Sequence, residues 1–458
     1  MNLRYNVVVI GGGPAGAVAA IAAARQGVSV LLVEQNGYLG GMLTCAGVGP
    51  QMTFHAGNTQ VVRGIPDEII SRLQEIGLSP GHMEDFVGYA SSVTPFDAEG
   101  MKLILETMAA EAGVQLLYHT VYTGCTVENG KLTKVKLYSK NGFFDVLADV
   151  FLDCSADADL ATHAGVSSVY GRESDNLAQP MTMNIKVANV DREKVMAYVK
   201  SNQNDMLSTI PFDHLEQIPR TGIQGAYSII KAAKANGEFD VDRDMVLCFE
   251  TSNPGEFILN MSRIVRKSAV DPFQLTKAEI EGRRQAHLIV EFMKKYIPGF
   301  DSCRIVSTGP SIGIRESRKI NGCYKLTAED LLDNRMFSDA IAMGGYSIDI
   351  HSPDGAAMKH RFLETGSWYS IPYRSLITNE VKNLLVAGRC ISTTHEACAA
   401  IRVTPIVMAI GQAAGTAAAQ SVLSGQFANQ LDTEELRKTL KKNGAFLEEY
   451  INNSTLNS

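Results

Sequence analysis

Two short, uninterrupted hydrophobic runs open the chain, with an alanine-rich segment between them. Residues 6–10 and 28–33 are rich in β-branched side chains, which predicts two buried strands. Residues 14–26 are rich in alanine and stop at Gly27, as expected for a helix with a glycine at its C-terminus. Because a crossover helix joins strands that run in the same direction, this segment predicts a βαβ unit in a parallel sheet.

A different pattern follows in residues 97–153. Residues 97–113 predict a helix that ends at a glycine. The runs 116–128, 132–138 and 143–152 are separated by Asn129-Gly130 and Asn141-Gly142, and Asn-Gly is the dipeptide favoured in tight hairpins. We therefore predict a three-stranded β-meander, with residues 150–153 returning to the main sheet.

The pattern becomes mixed between about residue 166 and residue 300. Strand-like runs at 183–190, 245–250 and 257–264 occur among helical runs at 194–201, 223–237 and 277–296, which predicts a separate α+β domain. We expect residues 304–308 to re-enter the first domain and 334–373 to belong to the second. Residues 383–387 predict a last buried strand, 405–423 a long helix, and 452–458 a frayed tail.

The predicted fold class is therefore α/β, with a doubly wound domain that carries a β-meander and an inserted α+β domain. We assign residues 1–165, 301–330 and 380–458 to the first domain, and residues 166–300 and 331–379 to the inserted one. A length of 458 residues agrees with two or three domains.

Composition narrows the possible partners and the compartment. A net charge of −7 provides no basic surface for nucleic acid or for an anionic membrane. The eight cysteines occur singly, without a CxxC pair, which is typical of reduced thiols in the cytoplasm. Residues 406–423 are long enough to cross a membrane, but their glycines, glutamines and alanines favour a close-packed interior helix. We predict a cytoplasmic protein without a targeting signal or membrane span.

The segment VVVIGGGPAG has the spacing of a dinucleotide-binding loop. Gly11 allows the tight turn from strand to helix, Gly13 lets backbone approach a pyrophosphate, and Gly16 lets the helix pack on the strand. The pyrophosphate would face the unpaired N–H groups of the helix N-terminus. Glu34 closes the second strand, where an acid accepts hydrogen bonds from ribose hydroxyls and disfavours a 2′-phosphate, so NADP fits poorly.

Two further segments suit the path of a bound dinucleotide. Gly40 and Gly41 follow the second strand, where close approach to a cofactor needs small residues. Ser155 and Ala156 follow a parallel strand and can pass near the adenine. The aspartates around them lack the glycine and distal glutamate of a calcium loop, so no metal site is predicted. Cys45 has no partner in the CxxxxC spacing of a redox disulfide, and we interpret it as an isolated thiol.

The segment NLLVAGRCIS ends a strand at Gly388, and Thr404-Pro405 then makes a good helix start. Gly411 and Gly415 allow this helix to lie very close to other backbone. Its N-terminus is suited to the negative charge that a flavin ring acquires on reduction. Because a simple NAD domain does not need this returning segment, we predict FAD as the cofactor.

These motifs, with GIRESRKINGCYKLT at 313–327 and YSIPYRSL at 369–376, resemble the FAD-dependent oxidoreductase family of the glutathione-reductase-like superfamily. They run in order from residue 6 to about residue 420. The resemblance implies an FAD domain assembled from separated segments and an inserted domain that covers the isoalloxazine ring. Many relatives place an aspartate for the ribityl chain where Arg389 and Cys390 stand here.

The residues assigned to FAD are Gly11, Gly13, Pro14, Ala15, Gly16, Glu34, Gln35, Gly40, Gly41, Met42, Ser155, Ala156, Asp159, Gly388, Arg389, Val403 and Thr404.

Four residues are candidates for catalysis. His395, just before the last long helix, and His351 have the pKa range for proton transfer near neutral pH. Arg402 and Arg315 are suited to a bidentate contact with a substrate carboxylate. The alternative is that residues 315–318 form a structural ion network between domains and that both histidines are ordinary hydrogen-bonded side chains.

No second strand–GxGxxG–helix unit follows, so a dedicated NAD(P)H domain is not expected. Electrons should reach the flavin from a small molecule or a redox protein partner. The leading hypothesis is a dehydrogenase or reductase that moves a hydride between FAD and a small organic substrate. A flavin oxidase or monooxygenase, and an FAD-binding electron-transfer subunit, are the alternatives. The sequence specifies neither the substrate nor the oligomeric state.

Overall fold

The computed structural model of the protein describes residues 3–207, 211, 214, 216–355 and 358–448, so the tail expected at 452–458 lies outside the described residues. The helices in this part of the chain are α1 (Pro14–Ala24), α2 (Ile65–Glu75), α3 (Ala98–Glu111), α4 (Asp159–His163), α5 (Arg192–Ser201), α6 (Tyr227–Ala235), α7 (Pro272–Tyr296), α8 (Ala328–Leu332), α9 (His395–Ile401), α10 (Thr404–Ser424) and α11 (Thr433–Lys442).

The strands are β1 (Leu3–Ile10), β2 (Val30–Val33), β3 (His55–Ala56), β4 (Thr59–Gln60), β5 (Gln115–Leu117), β6 (Val121–Glu128), β7 (Lys131–Ser139), β8 (Gly142–Asp153), β9 (Ser168–Tyr170), β10 (Ile185–Ala188), β11 (Gly222–Gly225), β12 (Val246–Glu250), β13 (Phe257–Leu259), β14 (Arg304–Thr308), β15 (Arg318–Ile320), β16 (Ala340–Gly344), β17 (Ile348–His351), β18 (Met358–Arg361), β19 (Tyr369–Pro372) and β20 (Leu384–Val386).

A parallel sheet in the order β5-β2-β1-β8-β20 forms the centre of the first core. Its central strands are continuous apolar runs because both faces of the sheet are covered. The first half of β8 pairs antiparallel with β7, which pairs with β6, and its second half joins β1 and β20 in parallel. The predicted meander and its return to the main sheet are both confirmed, in one continuous strand.

A second sheet, antiparallel throughout, has the order β11-β12-β13-β10-β14. Helices α5, α6 and α7 bury their apolar faces with it in a separate core. The expectation that residues 304–308 re-enter the first domain is wrong, because this strand lies at the edge of the second sheet and pairs with β10. The helix predicted from residue 223 begins later, since Gly222–Gly225 pairs with β12 and a left-handed Ala226 precedes α6.

Residues 334–373 also depart from the expectation. Strands β16 and β19 pair with each other, and their buried side chains belong to the core of the parallel sheet. The reason is that the run Ala340–Gly344 is fully buried, which requires cover on both faces. The following hairpin, β17 with β18, packs beside α9.

Helix α10 lies directly against α1. A Cβ at Gly411 would be 2.3 Å from the carbonyl oxygen of Ala15, and one at Gly415 would be 2.0 Å from that of Ala19. Among the described residues, α10 is the helix that is long and apolar enough to cross a membrane, and 78% of its apolar window is buried inside the protein. The predicted close-packed interior helix is confirmed.

This contact gives a stability prediction. Gly415→Ala should lower the free energy of unfolding by about 1–3 kcal/mol, because the added methyl group forces α10 away from α1. The loss should outweigh the roughly 1 kcal/mol by which alanine favours a helix over glycine. Denaturant unfolding measures the change. The control is Gly124→Ala in β6, where an added Cβ meets nothing within 4 Å. An unchanged midpoint for Gly415→Ala would contradict the close packing.

Candidate active site

A cavity of about 550 Å³ lies between the carboxyl ends of the parallel strands and the second sheet. It is lined by residues at the ends of β1, β2, β8 and β20, and on the opposite side by residues of β11 and β12. Doubly wound proteins bind their ligands at this edge of the sheet, where the loops and helix N-termini converge. Its volume is in the range of cofactor and substrate sites.

The glycine loop between β1 and α1 forms one wall of this cavity. Gly11 has φ of 100°, which gives the tight turn. A Cβ on Gly13 would meet no protein atom closer than the Cα of Gly41, at 4.0 Å, so it would project into the cavity. Pro14 and Ala15 also line it. The N-cap of α1 has no side-chain hydrogen bond, so the first N–H groups of the helix are free for an anion.

Gly16 has a different role from the one its assignment to FAD implies. It does not line the cavity, and a Cβ there would be 1.8 Å from the carbonyl oxygen of Gly11. Gly16 therefore serves the packing of α1 on β1. Gly40, also assigned to FAD, has a different role as well. Its left-handed backbone (φ 106°) directs its N–H to the carbonyl of Gly12. It fixes the loop without lining the cavity.

Glu34 ties the glycine loop to the end of β2. Its Oε2 accepts a hydrogen bond of 2.7 Å from the Gly12 N–H, and its Oε1 accepts two from Asn36 at 2.8 Å. The carboxylate also lines the cavity, together with Gln35. A carboxylate has about four lone-pair positions, so Glu34 keeps capacity to accept from a ribose hydroxyl.

Glu34→Ala should weaken FAD binding by about 1–3 kcal/mol, because the ribose hydroxyls and the Gly12 N–H both lose a charged acceptor. Titration of the apoprotein with FAD, followed by flavin fluorescence, measures the dissociation constant. Glu34→Gln keeps the size and one acceptor oxygen, and should fall between wild type and the alanine variant. Wild-type affinity in both variants would show that the ribose binds elsewhere.

The remaining FAD assignments line the same cavity from three loops. Gly41 and Met42 follow β2, Ser155, Ala156 and Asp159 follow β8, and Gly388 and Arg389 follow β20.

Two ion pairs surround the loops after β8 and β20. The Nη2 of Arg389 is 2.7 Å from Oδ1 of Asp157, and Asp159 pairs with Arg318. Burial, assisted by the neighbouring aspartates, raises the pKa of Asp159 to about 6. The Nε of Arg389 is buried and has no hydrogen-bond partner among the described residues. A positive donor therefore stands where the resemblance leads us to expect an acidic residue.

The N-terminus of α10 reaches the cavity from another side. Val403 and Thr404 line it, and the N-cap, Val403, makes no side-chain hydrogen bond to the helix. The helix starts at Thr404-Pro405 as predicted, and the Thr404 hydroxyl donates to Oε1 of Gln51 at 3.5 Å. The cavity thus faces two uncapped helix N-termini, each of which favours negative charge.

The end of the cavity near α10 is lined by charged side chains. Asp349 and His351 are two residues apart on β17 and so share one face of the strand. The Nε2 of His351 is 3.1 Å from Oδ2 of Asp349, and the Nη2 of Arg402 is 3.7 Å from the same oxygen. His360, opposite Asp349 in the β17–β18 hairpin, is 3.5 Å from its Oδ1. Asp349, His351, Arg402 and Arg315 all line the cavity.

Burial and charge interactions together determine the protonation states of Asp349, His351 and Arg315. Burial alone would raise the pKa of Asp349, but its contacts with His351 and Arg402 outweigh burial and lower it. Burial, with the charge of Arg315 second, lowers the pKa of His351 to about 3. His351 is therefore neutral at pH 7 beside an ionised carboxylate. Burial also lowers the pKa of Arg315, with Arg402 as the next cause.

Both arginines keep unused donors. Nη1 of Arg315 donates to the carbonyl of Pro180 (2.7 Å) and to the hydroxyl of Thr182 (2.5 Å), which fixes the guanidinium in place. The Nε of Arg402 is buried and has no hydrogen-bond partner among the described residues. Asp349 was missed by sequence reasoning, although its alternation with His351 in the run Ile348–His351 was a usable signal.

His395 is not brought to this site. Its side chain is buried away from the cavity, with Nδ1 2.7 Å from Oε2 of Glu316. Glu316 also pairs with the buried Lys319 and accepts from the Gln179 N–H. Burial by itself raises the pKa of Glu316, but the hydrogen bond from His395 and the charge of Lys319 lower it. Of the expected ion network at residues 315–318, only Glu316 lies in this buried cluster, since Arg318 pairs with Asp159 and Arg315 lines the cavity. His395 does not line the cavity.

Comparison with known proteins supports a common origin for this arrangement. A sequence model of the FAD dependent oxidoreductases matches residues 6–440. The chain belongs to this family. The matched residues include the glycine loop, β17 and α10.

Individual relatives match shorter segments. The digeranylgeranylglycerophospholipid reductase of Methanoculleus marisnigri is 30% identical over 200 residues, 41% of this chain and 48% of the relative. The enzyme of that name from Methanocella arvoryzae is 34% identical over 143 residues, 29% of this chain and 34% of the relative. The matched part thus spans half or less of these relatives. A solved geranylgeranyl bacteriochlorophyll reductase-like protein from Thermoplasma acidophilum is 15% identical, covers 97% of this chain and 85% of its own, and has a TM-score of 0.49.

The residues present fit FAD, the cofactor of the family. Gly13 and Gly41 leave a cradle that a Cβ at Gly13 would enter, and α1 offers its free N–H groups to a pyrophosphate. Glu34 is placed for the adenosine ribose. At the other end, the uncapped N-terminus of α10 is suited to the pyrimidine edge of the flavin. The protein is therefore an FAD-dependent oxidoreductase.

Cys45 lines the cavity, with its sulfur 3.1 Å from the Ser311 hydroxyl, and all eight cysteines are free thiols. Because Cys45 has no partner thiol, Cys45→Ser should change the rate of substrate-driven flavin reduction by less than about tenfold, equal to roughly 1.4 kcal/mol. Rapid-mixing absorbance at the flavin band measures this rate. Cys303→Ser, outside the cavity, is the control. A larger loss confined to Cys45→Ser would indicate a thiol mechanism.

Proposed function

We propose that the protein moves a hydride between FAD and a small organic anion, which binds at the Arg315–Arg402 end of the cavity. The observation that carries this proposal is the pair of arginines that line the cavity: Arg315 is held in place by Pro180 and Thr182, and Arg402 has a buried Nε without a hydrogen-bond partner among the described residues. Because the same cavity takes the FAD, the space left for substrate suits a small molecule.

The charge of this end favours an anion over a neutral or cationic substrate. Arg243 and Arg263 lie close enough to act on the pKa of Arg315, so four arginines face three carboxylates at this end, those of Asp349, Asp242 and Asp244. Two guanidinium groups with a fork of donors match the geometry of a carboxylate. The prenyl chains in the names of the matched reductases offer no group for these donors, whereas the phosphate of a glycerophospholipid is an anion that arginines bind. The match covers half or less of those relatives.

When bound, FAD supplies the two-electron chemistry. Arg402 and Arg315 hold the carboxylate of the substrate and so orient the reacting carbon. Asp349 orients His351 and keeps Arg402 in place through its carboxylate. In this proposal the substrate reacts with FAD directly.

Anaerobic titration of the FAD-loaded protein tests this function. Small carboxylates, their methyl esters or amides, NADH and NADPH are added in turn, and the flavin spectrum is followed. We expect a set of carboxylates to change or bleach the spectrum with saturation, and their neutral analogues to have no effect. Bleaching by NADPH, with no response to any organic anion, would overturn the proposal.

A further inference from the structure

The contacts of His351 place a proton acceptor beside the anion site. A carboxylate can only accept hydrogen bonds, so the neutral imidazole donates its single N–H from Nε2 to Oδ2 of Asp349. This leaves Nδ1 with a lone pair. Nδ1 has no hydrogen-bond partner among the described residues, and His351 lines the cavity. His351 is thus oriented as a proton acceptor.

The base lies beside the anion site. Asp349 contacts His351 and Arg402 through the same oxygen, so the imidazole and the guanidinium lie on neighbouring sides of one carboxylate. A substrate whose carboxylate is held by Arg402 therefore presents the next carbon, and a substituent on it, near His351. Only a short spacing between carboxylate and reacting carbon fits this arrangement.

The charged groups around His351 favour one type of substituent on the substrate carbon next to the carboxylate. The groups that face His351 are Asp349 on its own strand, Arg315 before β15, and Arg402 after α9. An ammonium group would meet two guanidinium charges, whereas a hydroxyl is neutral and can donate its proton to the imidazole. A substrate that must receive a proton finds no free N–H on His351, since Nε2–H is held by Asp349.

We propose that the substrate is a 2-hydroxy carboxylate and that Nδ1 of His351 accepts its hydroxyl proton. This inference rests on the proposed function and names the substrate class of that site. The O–H bond of the substrate breaks as the proton goes to His351, and the C2–H bond breaks as a hydride passes to FAD. A C=O bond forms, so the products are a 2-oxo acid, the protonated imidazole and reduced FAD. Two electrons leave the substrate and two are gained by FAD.

The test is anaerobic rapid mixing of the FAD-loaded protein with a matched panel. The probes are glycolate, both enantiomers of lactate and of malate, the deoxy acids propanoate and succinate, the amino acids alanine and aspartate, the unsaturated acid fumarate, and propane-1,2-diol. We expect flavin bleaching and a 2-oxo acid with at least one 2-hydroxy acid, slowed by deuterium at C2. The other probes should not bleach the oxidised flavin.

His351→Gln should reduce the rate of bleaching about 100-fold or more, with little change in the half-saturating concentration and in FAD content, because the amide still donates to Asp349 but is not a base. His287→Gln, on the exposed surface of α7, is the control and should behave as wild type.

The failures are distinguishable. Bleaching by amino acids or deoxy acids alone, or wild-type rates in His351→Gln, would overturn the 2-hydroxy acid inference and leave the anion site standing. If fumarate oxidises the chemically reduced protein and no 2-hydroxy acid reacts, the 2-hydroxy acid inference is likewise overturned and the anion site stands. No spectral response to any carboxylate would overturn the proposed function itself.

Discussion

Gly13→Val should remove stable FAD binding, with affinity reduced about 100-fold or more, while the protein still folds. The backbone of Gly13 has φ of −66°, which a valine can adopt, and an added Cβ meets no protein atom closer than 4.0 Å. The side chain would instead fill the space beside the free N–H groups of α1, where we expect the pyrophosphate to bind. A hundredfold change corresponds to roughly 2.7 kcal/mol of binding free energy.

The measurement is FAD content after purification, followed by titration of the apoprotein. Unfolding of the FAD-free proteins supplies the structural control, because Gly13→Val should unfold at nearly the wild-type midpoint. Gly16→Ala is the matched contrast: its Cβ would lie 1.8 Å from the carbonyl oxygen of Gly11, so the fold itself should be destabilised. Full FAD occupancy in Gly13→Val would show that the cofactor does not pass this loop.

Arg402→Gln should raise the substrate concentration for half-maximal flavin reduction about 100-fold, with FAD binding close to wild type. Two effects combine here. The anion loses charge-assisted hydrogen bonds, each worth about 1.5–3 kcal/mol, and Asp349 loses a positive neighbour and repels the anion more strongly. We expect FAD to be held mainly by the glycine loop, Glu34 and the strand ends, so its affinity should depend little on Arg402.

Rapid-mixing kinetics over a range of substrate concentrations measure this change. Arg266→Gln is the matched control, because Arg266 is an exposed arginine that pairs with Asp354 at 3.6 Å, outside the cavity. It should leave the half-saturating concentration unchanged. An effect of Arg402→Gln on FAD content alone, with unchanged substrate dependence, would move the anion site elsewhere.

Patterns within a few residues of each other were enough to predict several parts of the fold. The strands around Gly11, the hairpin at Asn129-Gly130 and the close packing of α10 through Gly411 and Gly415 are all confirmed. Each depends either on local backbone geometry or on a strand that is buried on both faces. The first requires glycine or asparagine at fixed positions, and the second requires a continuous apolar run, so both can be recognised in the sequence.

The predictions from sequence were wrong where a strand pairs with a partner that is distant along the chain. Residues 304–308 form a strand as expected, but nothing in five residues indicates which of two sheets supplies the partner, and β10 is more than 100 residues earlier. The same holds for β16 and β19, which join the first core. Gly16 and Gly40 were assigned to FAD for a related reason. The sequence does not distinguish a glycine that packs against backbone from one that faces a cofactor.

By itself, the sequence determined the cofactor and the glycine loop, because a pyrophosphate requires free N–H groups and the absence of side chains at fixed spacing, and that spacing is local. Only the tertiary structure separated the two candidate histidines. His395 and His351 were equal candidates by residue type, and packing placed one against Glu316 and the other against Asp349 in the cavity. The physical reason is that the pKa and the orientation of a buried histidine depend on charges that other elements bring to it, here Arg402 and Arg315.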